Sequence, residues 1–405
     1  MILILVLGGI ACRQIGGMRL PIWGMMLAGA GAVLITGSIT LTEAIHAVNI
    51  EIIIFLFSVF LIGSAMEGSG YLGYLARIIF SRAGTPGQLI SLFILTMGGF
   101  SALLMNDTLA IIGTPIALAL ARTCEIPDRI FLLALAGAIT TGSIISPIGN
   151  PQNLLIAIGS GMENPFLTFI EVLLVPTVLS GIILYAIIRR MTPPLPSVLP
   201  PVLPEAGIRD QRLALLCRAS LGILIGLIIL RIICMATGYP PMLTLSTIAA
   251  ISAAPILPSP NRFAIIRSVD YRTLLFFVGL FILMEAVWIG GTFPGLIPSQ
   301  LILSIPWLIG GGILLSQIIS NVPFVALLIP SLIEAGSSET VFLALAAGST
   351  IGGNLTLLGA ASNIIIIQNA ERRGATISFV EFLRFGVPVT ILQGAVFIGW
   401  FALIA

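Results

Sequence analysis

The sequence predicts an all-α polytopic membrane protein made of two inverted-topology repeats, each with a re-entrant hairpin and an interrupted transmembrane helix. Three observations lead to this fold class. The 405 residues are 58% hydrophobic and only 8% charged, with a mean hydropathy of +1.16, whereas soluble domains carry roughly a quarter charged residues. Apolar runs recur along the whole chain, and the second half repeats the first in the same order. A water-soluble fold is therefore excluded.

Apolar runs provide the candidate transmembrane helices. A helix needs about 17 to 25 apolar residues to cross the hydrocarbon, and the short, alternating strands of a membrane β-barrel do not fit such runs. The runs are 2–12, 20–36, 50–66, 130–158, 166–188, 213–235, 241–257, 272–289, 339–369 and 386–404. The first run has no basic region before it and no small-residue cleavage site, so we expect a spanning helix rather than a signal peptide.

The positions of the arginines predict the orientation. All 18 basic residues are arginine, and basic loops favour the cytoplasmic side of a membrane. With both termini outside, every arginine but one falls on the cytoplasmic side. The outer loops, which contain no arginine, are 37–49, 159–165, 236–241, 290–305 and 334–340. The exception is Arg231, near the outer end of its apolar run, where we expect it to snorkel. We therefore expect a multi-pass protein of the cytoplasmic (inner) membrane.

This orientation requires two re-entrant hairpins, 88–122 and 306–334, that each enter and leave on the same side. Each hairpin has two apolar arms joined by a polar tip. The tip residues are Asn106, Asp107 and Thr108 in the first hairpin and Ser320 and Asn321 in the second. Non-helical backbone at membrane depth is tolerated only against protein or a water-filled cavity. We therefore expect both tips to lie in such a place.

An internal repeat relates the two halves of the chain. Shifts of 221, 215 and 210 align Asn49 with Asp270, Asn106 with Asn321, Gly149 with Gly359 and Asn153 with Asn363. Each copy has five net crossings, and an odd number inverts the second copy, which puts a binding site at the repeat interface near the membrane midplane. We predict a first repeat at 1–190, a Pro-rich cytoplasmic linker at 191–212 and a second repeat at 213–405.

Two of the apolar runs contain helix breaks. In the first break, Pro147 and Pro151 lack a backbone donor, and Asn150 can cap a new helix that starts at Pro151. The matching break in the second half is 354–363. Helix starts offer free N–H groups to anions, and helix ends offer free carbonyls to cations. Pairing each tip with the break of its own half predicts two quasi-symmetric pockets for a small cation or an anionic headgroup.

Asp107 is the only carboxylate that this topology places deep in the membrane, and this makes it a functional candidate. It could ligate a cation, carry a proton or only cap a helix. Its counterpart in the second copy is Val322, so the two pockets cannot be chemically identical.

No motif indicates an enzyme or an ATP-driven pump. The four cysteines have no CxxC spacing, so we expect neither a disulfide nor a transition-metal site. They are Cys12, Cys124, Cys217 and Cys234. We expect no cofactor.

The motifs at the tips and breaks resemble those of the ion transporter superfamily, in its citrate-transporter-like and arsenite-permease-like branch, which is related to divalent anion/sodium symporters. These motifs are Asn106-Asp107-Thr108, ISNVPFVALLIP at 319–330, GNPQN at 149–153 and GGNLTLLGAASN at 352–363. The resemblance covers essentially the whole chain. It implies a scaffold domain, a moving transport domain, a homodimer, and coupling to Na⁺ or H⁺.

The resemblance also implies that the tips and breaks form the cation and substrate sites. The candidate cation ligands are Asn106, Asp107, Thr108, Ser146, Asn150, Asn321, Asn354 and Thr356. The candidate substrate contacts are Asn106, Thr108, Asn150, Asn153, Ser320, Asn321, Ser362 and Asn363. Sodium/dicarboxylate members have Ser-Asn-Thr at both tips, whereas this chain has Asn-Asp-Thr and Ser-Asn-Val. This difference weakens a dicarboxylate assignment and keeps arsenite and antiport chemistry open.

The leading functional hypothesis is secondary active transport of a small inorganic or carboxylate anion across the cytoplasmic membrane, coupled to Na⁺ or H⁺. The alternative is a cation/proton antiporter or an arsenite efflux permease that uses Asp107 as its ion shuttle. A channel or a non-transporting receptor on the same fold is a third class. It would give flux without saturation or binding without flux.

Overall fold

The computed structural model describes residues 2–12, 14–15, 18–19, 21–193, 207–239, 243–291 and 299–404. Within these residues the fold is helical, apart from a minimal antiparallel pair in which Gln14–Ile15 faces Met18–Arg19. Seven of the described helices are long and apolar enough to cross a membrane. The chain is therefore an all-α polytopic membrane protein, as the sequence predicts.

The first half forms ten helices in its described residues. They are α1 (Ile2–Cys12), α2 (Ile22–Ile35), α3 (Leu41–Ala47), α4 (Ile50–Ser69), α5 (Tyr71–Phe80), α6 (Pro86–Leu103), α7 (Asn106–Thr123), α8 (Asp128–Gly142), α9 (Pro151–Gly159) and α10 (Pro165–Met191). Thr40 and Glu43 form a capping box at the start of α3, and the hydrogen bonds from Thr40 lower the pKa of the Glu43 carboxyl. Asn49 caps α4 by accepting from the Ile52 N–H (3.2 Å).

The second half forms another ten helices in its described residues. They are α11 (Gln211–Ala236), α12 (Leu245–Ala253), α13 (Arg262–Arg267), α14 (Tyr271–Ile289), α15 (Ser299–Ile302), α16 (Ile305–Ile319), α17 (Asn321–Glu334), α18 (Glu339–Gly352), α19 (Ala361–Glu371) and α20 (Phe379–Ile404). Asp270 caps α14 as its repeat counterpart Asn49 caps α4. From these two helices onward, both halves continue with a hairpin, an interrupted helix and a long final helix.

The two halves pack by exchanging helices. Helix α2 of the first half packs mainly against α14 of the second, and α12 of the second half packs against α4 of the first. Deeper in the molecule α7 packs against α19, and α17 packs against α9. Under the internal repeat, each of these contacts is the counterpart of another, so the breaks of both halves are brought together.

The hairpins are α6 with α7 and α16 with α17. Two residues join the first pair, and Ser320 alone, at φ 75°, joins the second. Helix α6 packs closely on α8, and α16 packs on α18. The second contact requires glycine, because a Cβ on Gly348 would lie 2.6 Å from the Leu308 carbonyl oxygen. Close backbone contact therefore holds each hairpin against the interrupted helix of its own half.

The interruptions lie where the sequence predicts them. Helix α8 ends at Gly142, a 3-10 turn follows at Ser143–Ile145, and α9 begins at Pro151. Helix α18 ends at Gly352, and α19 begins at Ala361. The predicted break positions are thus confirmed. The opposite orientation of the halves in a membrane and the domain boundaries stay predictions, and residues 194–206 of the predicted linker lie outside the described residues.

Two helices differ from the predicted spans. Helix α12 has nine residues and continues only through a 3-10 turn, Ala254–Ile256, so it covers part of the run at 241–257. Helix α5 is amphipathic and lies outside every predicted run. It follows α4 directly because Gly70, at φ 71°, ends one helix and starts the next.

The guanidinium of Arg231 reaches two connections that lie in or beside the loops predicted to be outer, which agrees with the expected snorkelling. It donates to the Glu163 carbonyl (2.7 Å) and to the Leu243 carbonyl. These carbonyls lie between α9 and α10 and just before α12. A long cationic side chain near free backbone acceptors binds them, and Arg231 thereby links these two connections.

Candidate ion and substrate site

Asn106 joins the first tip to the first break. Its backbone N–H donates to the Gly149 carbonyl (3.2 Å). Its side-chain amide nitrogen donates to the same carbonyl (2.9 Å) and to Ser101 Oγ (2.6 Å). Gly149 leaves no room for a side chain, since a Cβ there would lie 2.8 Å from the Ser101 carbonyl oxygen. The start of α7 is therefore held at the level of the break.

Asn150 and Asn153 hold the first break together. Asn150 Oδ1 accepts from the Asn153 N–H (2.8 Å), with Pro151 as the first helical residue, so the predicted cap is confirmed. The Asn153 amide nitrogen donates to the carbonyls of Ser143 and Ser146 (3.0 Å each). Ser146 and Asn153 therefore bind the backbone of the break.

Gln317, which the sequence analysis did not single out, joins the second hairpin to the second break. Its amide nitrogen donates to the Gly352 carbonyl (2.7 Å), and its oxygen accepts from Thr356 Oγ1 (2.9 Å). The Asn363 amide nitrogen donates to the Gly353 carbonyl (2.8 Å), much as Asn153 does in the first half. Thr356 and Asn363 therefore maintain the shape of this break.

Asn354 and Thr108 also contact protein neighbours. The Asn354 amide nitrogen donates to Gln393 Oε1 (2.9 Å), and Gln393 Nε2 donates to Thr141 Oγ1 (2.9 Å). Thr108 packs on α4, where a Cβ added to Gly63 would lie 3.0 Å from Thr108 Oγ1. Both side chains are used in packing between helices.

The tips and breaks of both halves open onto one cavity of about 370 Å³, which we call the tip cavity. The predicted site residues that line it are Asn106, Asp107, Asn150, Ser320, Asn321 and Ser362. Those that do not are Thr108, Ser146, Asn153, Asn354, Thr356 and Asn363. The expectation of two separate pockets is thus corrected. The pairs α7 with α19 and α9 with α17 pack across the halves, so their starts converge.

Four helix starts surround the tip cavity. Helices α7, α9, α17 and α19 begin there, and free N–H groups and helix dipoles make such starts favourable for anions. Asn321 Oδ1 and Ser362 Oγ are buried there without a partner among the described residues. An unpaired buried polar atom is costly. These two atoms are therefore available to a ligand.

Asp107 is the second residue of α7, and Met105 occupies the N-cap position without a side-chain hydrogen bond. Among the described residues, the Asp107 carboxylate forms neither a hydrogen bond nor an ion pair, and it lines the tip cavity. The interpretation that it only caps a helix is therefore wrong. Val322 lines the same cavity from the other tip.

The opposite wall of the tip cavity comes from α2 and α14, and the sequence analysis missed it. Its residues are Ile22, Trp23, Arg272, Thr273, Phe276 and Phe277. Several belong to the first turn of their helix, so the cavity lies near the arginine-bearing ends of α2 and α14. The sequence analysis used Arg272 only to orient the chain. The signal that was available is its position at the start of an apolar run that aligns with α4.

A family model described as citrate transporter matches residues 3–342, which include both tips and the first break. The chain belongs to the citrate transporter family. This assignment agrees with the resemblance of the tip and break motifs. The chain is therefore a multi-pass membrane transporter, and the tip cavity is the candidate for its transport site.

Several relatives of this citrate transporter family member are described as transporters. A Mycobacterium tuberculosis protein described as an uncharacterized transporter is 29% identical over 407 residues, covering 91% of this chain and 90% of the relative. A Dictyostelium discoideum transporter named arsB is 24% identical over 493 residues, covering 91% and 85%. The crystal structure of the YdaH transporter from Alcanivorax borkumensis matches with a TM-score of 0.57 at 15% identity, covering 99% of this chain and 94% of that one. At this identity the structural likeness concerns the fold alone.

Proposed function

We propose that this member of the citrate transporter family is a secondary active transporter that moves a small anion across the cytoplasmic membrane, coupled to Na⁺ or H⁺. One observation carries the proposal. Four helix starts, two unpaired buried polar atoms and one free carboxylate meet in a single cavity. The relatives named as transporters support it.

The helix starts favour an anion as the substrate. Each start adds a partial positive charge that is little screened away from water. The Ser362 hydroxyl can donate a hydrogen bond to the anion, whereas Asn321 Oδ1 is an acceptor and suits the coupling cation. A cavity of about 370 Å³ lies at the lower end of the range for small-molecule sites, about 300 to 1,000 Å³. The substrates that fit are small inorganic oxyanions and short carboxylates, including citrate, from which the family takes its name.

Asp107 supplies a physical reason for coupling. An anion that enters the tip cavity meets a carboxylate, and two like charges at close range in a low-dielectric site repel each other strongly. A Na⁺ ion or a proton on Asp107 removes this repulsion. Asn106 and Asn150 carry amide oxygens in the same cavity, and oxygen donors suit a hard cation. The cation therefore prepares the site for the anion.

The remaining parts of the proposal come from the resemblance and the repeat. A moving unit of hairpins and interrupted helices would carry the site past a scaffold that includes α2, α4, α12 and α14. Inverted repeats allow such alternating access around one site. A homodimer of the scaffold is expected by the same resemblance.

The second candidate is a cation/proton antiporter or an arsenite efflux permease in which Asp107 is the ion shuttle. Two observations favour it: the arsB relative and the absence of a partner for Asp107 among the described residues. In this case the cation is carried in exchange, and no anion needs to enter with it.

Uptake into proteoliposomes tests the proposal. Labelled citrate, phosphate and arsenite are offered to wild type with and without an inward Na⁺ or H⁺ gradient. We expect saturable uptake of at least one anion, stimulated by one gradient, and we expect Asp107→Asn to lose this stimulation. Glu125→Gln, which removes an exposed carboxylate just beyond α7, is the matched control and should behave as wild type. Gradient-independent uptake, or no uptake of any anion, would refute anion–cation coupling.

A further inference from the structure

Arg272 is a free cation on the wall of the tip cavity. It lies in the first turn of α14, whose start is fixed because Asp270 accepts from the Arg272 N–H (3.1 Å) and from Thr273 Oγ1 (2.6 Å). The backbone of Arg272 is therefore held in place. Its guanidinium has no hydrogen bond, ion pair or ring contact among the described residues, and the residue lines the same cavity as Asp107.

Glu51 occupies the corresponding position in the other half. The shift of 221 that aligns Asn49 with Asp270 aligns Glu51 with Arg272, and Asn49 caps α4 as Asp270 caps α14. The surroundings match as well. Arg272 lines the tip cavity together with Ile22 of α2, and Glu51 lines a second cavity, of about 250 Å³, together with Leu245 of α12.

Helix α9 connects the two walls. Its first residues, Pro151 and Gln152, line the tip cavity, and Ala157 and Ile158 near its end line the cavity at Glu51. Six residues of helix correspond to about 9 Å. A displacement of that order would bring the start of α9, with the tips bound to it, from the wall that carries Arg272 to the wall that carries Glu51.

We propose that Arg272 binds the charged group of the transported anion in the conformation seen here, and that Glu51 takes its place beside the helix starts in the opposite conformation. This inference rests on the proposed function and on the inverted arrangement of the halves. A guanidinium can form two parallel hydrogen bonds to a carboxylate or oxyanion. A carboxylate in the same place repels the anion.

Because Glu51 takes the place of Arg272 beside the anion, the two conformations of the carrier differ in their affinity for the anion. Near Arg272 the other carboxylates are Asp107, which the coupling cation neutralises, and Asp270, which keeps its charge while its oxygens accept the hydrogen bonds of the helix cap. Among the described residues that line the cavity at Glu51, the other charged one is Arg231, whose guanidinium is already bound to the carbonyls of Glu163 and Leu243, and Glu51 Oε1 accepts from Ser246 Oγ (3.3 Å). The guanidinium of Arg272 is free to bind the anion and that of Arg231 is not, so the anion binds more tightly from the side of Arg272 than from the opposite side.

Affinity measured separately from each side tests this inference. Labelled citrate and labelled phosphate are offered to intact cells, which expose the side of Glu51, and to inside-out membrane vesicles, which expose the side of Arg272. Arg272→Gln should raise the KM about tenfold or more in inside-out vesicles and leave the KM in intact cells unchanged. Glu51→Gln should lower the KM in intact cells alone. Arg267→Gln, at the end of α13 on the same side, is the control and should change neither value.

The outcomes separate the two proposals. If wild type takes up neither these anions nor the arsenite of the proteoliposome experiment, the proposed function fails and this inference fails with it. If wild type takes up an anion but Arg272→Gln leaves both KM values unchanged, or raises both equally, only this inference is overturned. If Arg272→Gln does not fold, as judged by size-exclusion chromatography, Glu51→Gln decides. An unchanged KM in intact cells for that variant overturns the inference.

Discussion

Asn106 and Gly149 are joined by a backbone hydrogen bond of 3.2 Å between the tip of the first hairpin and the break of the interrupted helix beside it. This contact sets the depth at which α7 begins. Everything proposed for the tip cavity depends on it, because Asp107 follows Asn106 directly and Asn150 follows Gly149.

Gly149→Ala should disrupt this junction. The new methyl group would lie 2.7 Å from the Ser143 carbonyl oxygen and 2.8 Å from the Ser101 carbonyl oxygen, and overpacking of this kind costs about 1–3 kcal/mol. We expect a lower melting temperature in detergent and loss of uptake. Gly226→Ala in α11, where a Cβ meets nothing within 4 Å, should leave both unchanged. Wild-type uptake in Gly149→Ala would contradict the junction.

Gln393→Met should separate structure from ligand binding in the second half. Gln393 is fully buried and accepts from Asn354 (2.9 Å), so its loss leaves an amide poorly satisfied at a cost of about 1–3 kcal/mol. We expect a lower melting temperature with no change in the affinity for anion or cation. Gln211→Met, on the exposed start of α11, is the control. A selective loss of cation affinity would instead support Asn354 as a cation ligand.

Ser362→Ala should weaken anion binding and leave the melting temperature unchanged. Ser362 Oγ is buried in the tip cavity without a partner among the described residues, so its removal costs folding nothing. If the hydroxyl binds ligand, the loss of about 1 kcal/mol weakens anion binding about fivefold. Ser349→Ala, which removes a buried hydroxyl bonded to the Leu345 carbonyl (2.8 Å), should not alter binding. Unchanged anion affinity in Ser362→Ala would remove this hydroxyl from the site.

Local sequence rules were sufficient to predict the helix breaks. Pro151 and Asn150 specify a helix start wherever they occur, because one lacks a backbone donor and the other caps. The tips were accessible for a similar reason, since polar residues such as Asn106 interrupt an apolar run. The odd number of crossings and the membrane depth of Asp107 came from counting arginines and apolar runs, and both stay predictions.

Contacts between distant segments were not accessible in this way. The sequence analysis expected two pockets, but α7 packs on α19 and α9 on α17, and these contacts merge both sites into one cavity. The amide nitrogens of Asn153 and Asn363 donate to buried carbonyls of the breaks, and the role of both residues as ligand contacts stays a prediction. Arg272 was missed because its place on the cavity wall depends on how α14 packs against α2.

The central claim is that an anion and a coupling cation share the tip cavity and strengthen each other's binding, and calorimetric titration of the purified protein tests it most directly. Citrate and phosphate are titrated with and without Na⁺ and across a pH series. We expect one of these anions to bind about fivefold or more tightly when Na⁺ is present or the pH is lowered, and this dependence to disappear in Asp107→Asn. An anion affinity that is independent of both Na⁺ and pH, or one that still depends on them in Asp107→Asn, would contradict the account.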